Sequence, residues 1–379
     1  MTTHILLISK QAVPNLVPLL DPQIKPQKAI LIVSKDMQQR AKWLKSVLQK
    51  QAIQCVIKEI DNAYDIKHMQ DTVINLILNN HENEQLILNA TGGTKPMSIA
   101  AYEEFRVEGL PIYYVHPESD ELIWLHDKET QNHQIADKVK LDNFLLAHGA
   151  QVTALEQHKP REKDLELAKK IINQVSYFAK AISQLNYLAQ SAEKTLLSLP
   201  IENVINLQTA PFYDLIDMFE RDGYLTEREG KLKFKSKKNQ FHVNGGWLEG
   251  WVYNQVRELK KNNVNIQESA SNLKIERDLG RGKPVPNEID TAFLYNNRLH
   301  LIECKTRRLA GNESTTADTL YKMDSLKPIM GGLQARGMLV SLLNVDDKAR
   351  SRAAELNIKI CAGEQVKNLS THIMEMIKK

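Results

Sequence analysis

Short apolar runs alternate with longer amphipathic stretches through the first third of the chain. The apolar runs predict buried strands at residues 4–9, 29–34, 54–60, 85–90 and 111–115. The stretches between them predict helices, one capped by Asp36 and running to about Gln51, another capped by Asp61 and ending before Asn79. Nearly continuous apolar strands that alternate with helices indicate a parallel sheet covered on both faces. We therefore predict a Rossmann-like α/β domain that ends near residue 145, with an antiparallel edge strand at 121–126.

The pattern changes to long amphipathic helices between about residues 151 and 240. Residues 210–238 then read as helix, turn and hairpin, a pattern similar to a winged helix. Four alternate positions of that hairpin carry lysine, at 231, 233, 235 and 237. We favour the interpretation of a solvated edge strand, because edge lysines oppose aggregation, over a nucleic-acid contact.

The last part of the chain, from about residue 241, opens with a helix that has one apolar stripe. The stripe consists of Trp247, Leu248, Trp251, Val252, Val256 and Leu259. A hairpin is predicted next, at about 287–306, followed by two units in which a helix alternates with a strand. This order predicts a second α/β domain.

The predicted hairpin turns at Asn296 and Asn297, since asparagine tolerates the positive φ that a two-residue turn requires. In that register Asp290 lies opposite Glu303, and Lys305 points to the same face. The opposite face is predicted to pack in the core through Ile289, Phe293, Ile302 and Cys304.

Two facing carboxylates repel each other unless a divalent cation lies between them, and oxygen ligands suit Mg²⁺ or Mn²⁺. Lys305 could activate water bound to that cation or stabilise negative charge on a phosphate. This is the chemistry of phosphodiester hydrolysis. The spacing alone is not specific, and a surface Asp–Lys ion pair beside a solvated glutamate is the alternative.

A glycine pair between a predicted strand and a predicted helix forms a candidate phosphate-binding loop. It lies at the carboxyl end of its strand, where open α/β sheets bind ligands. The glycines allow close backbone approach and the helix start offers N–H groups. The loop candidates are Thr91, Gly92, Gly93, Thr94, Lys95, Pro96 and Met97, and those after the first two strands are Ser9, Lys10, Gln11, Ser34 and Lys35. A plain turn with a threonine cap is the alternative, and the Walker A spacing is absent.

Composition narrows the class of protein only slightly. A net charge of +4 permits nucleic-acid binding without arguing for it. Three cysteines without a CxxC pair favour a reducing compartment over a disulfide framework or zinc site. The start lacks the features of a signal peptide, and apolar runs are too short to span a membrane. We therefore expect a cytoplasmic protein without membrane association.

Two segments together resemble a known family. The hairpin "IDTAFLYNNRLHLIECKT" resembles the PD-(D/E)xK motif of restriction-endonuclease-like nucleases, and "GGWLEGWV" resembles the first helix of that fold. The stretch "NATGGTKPMSIAAY" resembles the ligand loop of CARF domains, the sensors of cyclic oligoadenylates in type III CRISPR systems. The order of the two motifs is that of CRISPR ancillary nucleases with an N-terminal CARF domain. The resemblance divides the chain into a CARF sensor at 1–145, a helical, winged-helix-like linker at 146–240 and a nuclease at 241–379.

The resemblance implies a homodimer that binds cyclic tetra-adenylate in a pocket on its two-fold axis, and that then cuts DNA or RNA with Mn²⁺ or Mg²⁺ in antiviral defence. It implies Asp290, Glu303 and the Cys304 carbonyl as metal ligands, Lys305 as the residue that activates water, and Glu249 as an assisting group. The family's proline is replaced by Ile289. A cyclic hexa-adenylate ligand, cleavage of the messenger in its own pocket, and a ligand-gated DNA-binding regulator without nuclease activity stay open.

Overall fold

The computed structural model describes residues 1–80, 83–127, 130–204, 210–277, 284–306 and 314–378. Across these residues the chain forms sheets of seven, three and six strands. The predicted α/β class, with a Rossmann-like domain, a helical middle and a second α/β domain, is confirmed.

The N-terminal domain is built on the seven-stranded sheet. Its strands are β1 (Thr2–Leu7), β2 (Lys28–Ser34), β3 (Gln54–Ile60), β4 (Gln85–Asn89), β5 (Ile112–His116), β6 (Glu121–His126) and β7 (His133–Gln134). Its helices are α1 (Val13–Leu16), α2 (Gln38–Lys50), α3 (Ile66–Asn80), α4 (Lys95–Val107) and α5 (Leu141–Ala147). The order is β3-β2-β1-β4-β5-β6-β7, parallel up to β5. β6 is antiparallel as predicted, but it is not the edge strand because β7 pairs beyond it.

Both predicted helix caps are wrong, because each helix begins later in the chain than the predicted aspartate allows. Asp36 accepts a hydrogen bond from the Ser34 hydroxyl at 2.6 Å, and α2 begins at Gln38 without a side-chain cap. The start of α3 is bonded to Asp65 instead of Asp61, since Asp65 Oδ1 accepts the N–H of His68 at 3.0 Å. At α2 a turn hydrogen bond just before the helix therefore takes the place of capping, whereas α3 is capped by Asp65, the residue directly before it.

The middle segment holds helices and the three-stranded sheet. Its elements are β8 (Ala150–Glu156), α6 (Glu162–Asn173), α7 (Val175–Ser191), β9 (Leu197–Pro200), α8 (Ala210–Arg221), β10 (Leu225–Arg228), β11 (Lys231–Phe234) and α9 (Lys237–Phe241). The sheet order is β10-β11-β9. The lysine-bearing β11 is therefore the central strand, and the interpretation as an edge strand is wrong. Only Lys231 and Lys233 lie on β11, and Lys237 already belongs to α9.

The C-terminal domain is built on the six-stranded sheet. Its elements are α10 (Trp247–Lys261), β12 (Ile266–Arg277), β13 (Val285–Tyr295), β14 (Arg298–Lys305), α11 (Ser314–Gly331), β15 (Arg336–Ser341), α12 (Asp347–Glu355), β16 (Ile358–Ala362) and α13 (Leu369–Lys378). The order is β16-β15-β14-β13-β12-β8. Sequence analysis missed β8, which joins this sheet from the start of the middle segment by pairing with β12.

Two large apolar clusters connect the domains. The stripe of α10 packs in a cluster that also holds Phe293, Ile302 and residues of α7, α8 and α13, and it is buried as predicted except for the half-buried Trp251. A second cluster joins Leu6 and Leu16 of the N-terminal domain to Leu294, Leu299 and neighbouring residues of the C-terminal sheet. Burial of this shared surface holds the two domains against each other. In the part of the chain that the structure describes, no helix has the length and apolar character needed to cross a membrane.

Candidate functional site

The hairpin of β13 and β14 has the predicted turn. Asn296 and Asn297 take φ values of 46° and 50°, and Tyr295 pairs with Arg298. The antiparallel ladder runs back from the turn to the pair of Thr291 and Ile302. The predicted register is therefore confirmed up to the residue pair next to Asp290 and Glu303.

The predicted core face of this hairpin is wrong at one position. Phe293, Ile302 and Cys304 lie in the cluster under α10, whereas Ile289 lies in the cluster shared with the N-terminal domain. Residues 289 and 293 of an unbroken strand would point to the same face. The side-chain alternation of β13 is therefore interrupted between them, next to Asp290.

Asp290 is fixed by the neighbouring strand. Its Oδ2 accepts the backbone N–H of Cys304 at 2.7 Å. Burial, reinforced by the charges of Glu303 and Glu249, raises the pKa of Asp290 well above its usual range. This carboxylate is thus held in place where a negative charge is costly, and a nearby cation would relieve that cost.

Glu303 is 5% exposed and bonded to two lysines. The Lys305 Nζ lies 3.4 Å from its Oε2, and the Lys322 Nζ lies 3.1 Å from its Oε1. Burial lowers the pKa of Lys305, but Glu303 and Asp290 outweigh this effect and raise it. Lys305 is therefore a firmly charged ammonium beside the carboxylates, as the predicted chemistry requires.

Glu249 stands in the first turn of α10 and forms one wall of a cavity of about 300 Å³. Burial, together with the charges of Glu288 and Glu303, raises its pKa to about 7, although Lys305 opposes the shift. The cavity is lined by Asn244, Gly245, Glu249, Cys304, Lys305 and Thr306. The structure thus brings Glu249 to the hairpin residues, as the sequence-based resemblance implied.

Cys304 offers only its main chain to the site. Its thiol is buried, and burial raises the thiol pKa well above the usual range, with the charge of Asp290 adding to the shift. Its N–H is already donated to Asp290. The carbonyl is thus the group of Cys304 that a cation could use.

Sequence reasoning missed Lys322. This residue lies on α11, and its Nζ also donates to the Glu288 carbonyl oxygen at 3.1 Å. The segment between β14 and α11 carries no spacing signal that links Lys322 to Glu303. Only the packing of the helix on the sheet brings these residues together.

The donor set suits a hard divalent cation. Within the described ranges, no three His, Cys, Asp or Glu side chains cluster tightly enough to hold a metal as they stand. Mg²⁺, however, is usually bound by one or two carboxylates and several waters. Asp290 and Glu303, with the Cys304 carbonyl, therefore fit such an ion. The three carboxyl groups of the site also outnumber the two positively charged lysines bonded to Glu303.

The glycine-rich loop at the end of β4 packs tightly onto β1. A Cβ on Gly92 would collide with the Leu7 carbonyl oxygen, and Gly93 has a φ of 74°. The Thr91 hydroxyl accepts the N–H of Val115 at 2.8 Å. The Thr94 hydroxyl donates to the Ala63 carbonyl at 2.6 Å and caps α4 by accepting from Met97. The glycines and the two threonine hydroxyls of this loop thus stabilise its own conformation.

The other predicted ligand-binding side chains fall into three groups. Lys95 and Lys10 are exposed, Met97 is buried in the core, and Pro96 lies in the first turn of α4. Ser34 bonds Asp36, while Lys35 lies 3.5 Å from Asp61. Ser9 and Gln11 bond each other through a local turn after β1. Lys95 is therefore the best placed of these cations to meet a phosphate.

Two family models match the chain, one in each α/β domain. Residues 3–144 match the Card1 CARF domain, and residues 236–379 match the Card1-like endonuclease domain. Among curated proteins none gives a significant match.

Solved structures show the same arrangement over the whole length. Protein VC1899 from Vibrio cholerae is 27% identical with a TM-score of 0.90, and the match covers 100% of this chain and 98% of that one. Can2 from Sulfobacillus thermosulfidooxidans, solved in complex with cyclic tetra-adenylate, is 25% identical with a TM-score of 0.83 over 100% and 99% of the chains. A type III CRISPR defence DNA nuclease activated by cyclic oligoadenylate shares the fold at 16% identity and a TM-score of 0.56, over 89% of this chain and 45% of that one.

The fold and the domain matches define a nuclease joined to a Rossmann-like sensor domain. More particularly, the chain carries a CARF domain followed by a Card1-like endonuclease domain and is a CRISPR type III ancillary nuclease.

Proposed function

We propose that this protein is a metal-dependent nuclease that cyclic tetra-adenylate switches on and that hydrolyses phosphodiester bonds of DNA or RNA in antiviral defence. The observation that carries the proposal is the gathering of Asp290, Glu303 and Lys305 at one end of β14, within the domain that matches an endonuclease family. The messenger is proposed from the complex of Can2 with cyclic tetra-adenylate.

Each side chain of the site has a role in this proposal. Asp290, Glu303 and the Cys304 carbonyl would hold Mn²⁺ or Mg²⁺, which supplies Lewis-acid stabilisation and lowers the pKa of bound water. Lys305, kept charged by its carboxylate neighbours, orients the attacking water and stabilises negative charge on the phosphate. Glu249, with a pKa of about 7, can exchange a proton near neutral pH at the wall of the cavity.

The sensor role is supported by the start of α4. Lys95 is exposed there, beside the N–H groups of a helix start, which attract phosphate. The same helix leaves Ile99 52% and Val107 71% exposed, an apolar face that a second copy of the chain would cover. We therefore propose a cytoplasmic homodimer in which two such loops share one ring-shaped ligand.

The division of the chain also belongs to this proposal. We place the sensor at residues 1–145, a helical linker at 146–240 and the nuclease at 241–379. Because β8 pairs with β12, the beginning of the linker is attached to the nuclease sheet. A rearrangement of the sensor therefore has a short route to the nuclease domain.

The test is to incubate purified protein and Mn²⁺ with plasmid, single-stranded DNA and RNA, with and without cyclic tetra-adenylate. Cleavage is expected only when messenger and metal are both present, and it should disappear in Glu303→Gln. Lys95→Ala should need more messenger for the same cleavage. Cleavage that ignores the messenger contradicts the sensor role, whereas messenger-dependent DNA binding without cleavage in any condition supports a regulator instead.

A further inference from the structure

Lys322 bonds Glu303, a proposed ligand of the metal, through its ammonium group. Its ammonium lies 3.1 Å from Glu303 Oε1, while Lys305 already lies 3.4 Å from Oε2. Both oxygens of a proposed metal ligand are therefore bonded to cations. A divalent ion that binds Oε1 would meet the positive charge of Lys322 at close range, so the lysine and the metal compete for the same oxygen.

The helix that carries Lys322 ends against the sensor domain. The Leu333 N–H, just beyond the end of α11, donates to Gln11 Oε1 at 3.2 Å. Gly332 lies so close that a Cβ there would collide with the same oxygen. From Lys322 to the end of α11 at Gly331 the helix spans about 13 Å, at roughly 1.5 Å per residue, and Leu333 lies two residues beyond. The helix α11, which contains Pro328 and ends at Gly331, and the short turn that follows it therefore connect the nuclease carboxylate to the sensor.

Gln11 belongs to the segment predicted to meet the messenger. It follows β1 at the carboxyl end of the sheet, and its N–H bonds Ser9 at 3.3 Å. The loop that carries Lys95 packs on the end of the same strand, through Gly92 against Leu7. A ligand that draws the Gln11 amide towards its phosphates would take away the acceptor of Leu333.

We propose that Lys322 restrains the nuclease in the messenger-free protein. This proposal rests on the proposed function. Lys322 stays on Glu303 Oε1 as long as Gln11 holds the end of α11. When the messenger engages the Gln11 segment, α11 is released, Lys322 leaves Glu303, and the carboxylate is free to bind the metal.

The ion pair between Lys322 and Glu303 is weak enough for ligand binding to break it. Lys322 is 45% exposed, and ion pairs at such sites contribute little, about 1 kcal/mol or less. A ligand shifts an equilibrium only by its difference in affinity for the two states. A weak restraint can therefore be removed by a modest part of the messenger's binding energy, whereas a fully buried pair could not.

The experiment compares Lys322→Met with Lys274→Met by calorimetric titration of Mn²⁺, without messenger or nucleic acid. Lys274 is a matched control, because it lies 3.8 Å from Glu288, beside the site, and is about as exposed as Lys322. Lys322→Met should bind Mn²⁺ about fivefold more tightly, while Lys274→Met should match the wild type. Equal shifts in both variants would show a general charge effect and overturn the proposal.

Gln11→Ala tests the distant end of α11. It should also tighten Mn²⁺ binding without messenger, and its effect should not add to that of Lys322→Met, since both release one restraint. An unchanged Mn²⁺ affinity in Gln11→Ala would break the link to the sensor. Weaker Mn²⁺ binding by Lys322→Met would also overturn the restraint, because it would make the lysine a supporting group of the site.

The two proposals fail in different ways. If the wild type binds no Mn²⁺ even with cyclic tetra-adenylate, and Glu303→Gln behaves identically, the proposed function is wrong. If the wild type binds Mn²⁺ and cuts nucleic acid but Lys322→Met has the same affinity, only the restraint is wrong.

Discussion

The nuclease site and the sensor loop differ in how their polar groups are satisfied. In the nuclease site, buried carboxylates crowd together, and burial raises the pKa of both Asp290 and Glu249. In the sensor loop, the hydroxyls of Thr91 and Thr94 bond to backbone groups, and Lys95 is exposed. The first arrangement is costly unless a cation joins it. The second is stable without any ligand.

This difference shows which kind of functional site can be recognised in a structure that holds no ligand. A costly cluster calls for a partner, so the nuclease site can be argued from its own electrostatics. A satisfied loop serves the fold equally well with or without a messenger. Its role is therefore argued from the family match and from the one exposed cation.

The substitution Asp290→Asn tests the nuclease side of this comparison and is expected to have the largest effect. Loss of this metal ligand should lower cleavage by about a thousandfold or more, since metal sites supply several kcal/mol of transition-state stabilisation. The same change removes a buried charge yet keeps an acceptor for the Cys304 N–H. The melting temperature should therefore stay the same or rise. Parallel cleavage assays and thermal unfolding check both effects, and a clear loss of stability would contradict the electrostatic argument.

Gly92→Ala should act on the fold of the sensor domain. The added methyl group would collide with the Leu7 carbonyl oxygen, so strand β1 and the loop must separate. We expect a loss of about 2–4 kcal/mol in the free energy of unfolding, which denaturant titration measures. Gly109→Ala is a control with free space around the Cβ, although its φ of 69° adds a small strain. Gly92 itself has no positive φ, so a loss in Gly92→Ala that is no larger than the loss in Gly109→Ala would contradict the predicted collision.

Lys95→Ala should act on ligand binding alone. An exposed lysine contributes little to stability, but a charge-assisted bond to phosphate is worth about 1.5–3 kcal/mol. Messenger affinity, measured by calorimetry, should fall about tenfold to a hundredfold with an unchanged melting temperature. Lys67→Ala serves as the comparison, because Lys67 is an exposed lysine of α3 that pairs with Asp71 and is not among the ligand candidates. Equal losses for the two lysines would show that the loop has no special part in binding.

The sequence predicted elements well where a local pattern decides them. The strands of the sensor sheet, the apolar stripe of α10 and the turn at Asn296 follow from period, apolar runs and φ preference. The pairing of Tyr295 with Arg298 then follows by counting from the turn.

The errors came where distant contacts decide the structure. β8 has little apolar alternation and forms because β12 offers an edge. Lys322 reaches Glu303 only through helix packing, and Ile289 changes face where the strand is irregular. Asp36 lost its capping role to a neighbouring hydroxyl. No local pattern carries such information, because each outcome depends on partners far along the chain or on competing hydrogen bonds.

The smallest effect is expected where the two regions meet. Asp120, in the turn between β5 and β6, bonds the Asn297 amide of the nuclease hairpin. Burial raises the pKa of Asp120 to about 6 from its usual 3.8, and the Asn297 hydrogen bond offsets only part of this shift. The folded state therefore binds a proton more readily than the unfolded chain between about pH 4 and pH 6. The contribution of this carboxyl to stability is full below that window and is lost as the pH rises through 6.

Asp120→Asn should remove this dependence, because the amide keeps an acceptor for Asn297 and carries no charge. At pH 8 the variant should be more stable than the wild type by on the order of 1–2 kcal/mol, and at about pH 3.5, below the window, the difference should be close to zero. Thermal unfolding at both pH values measures this. If the variant and the wild type differed in stability by the same amount at the two pH values, the contact between sensor and nuclease would be solvated. The hairpin turn would then carry no charge-sensitive link between the two domains.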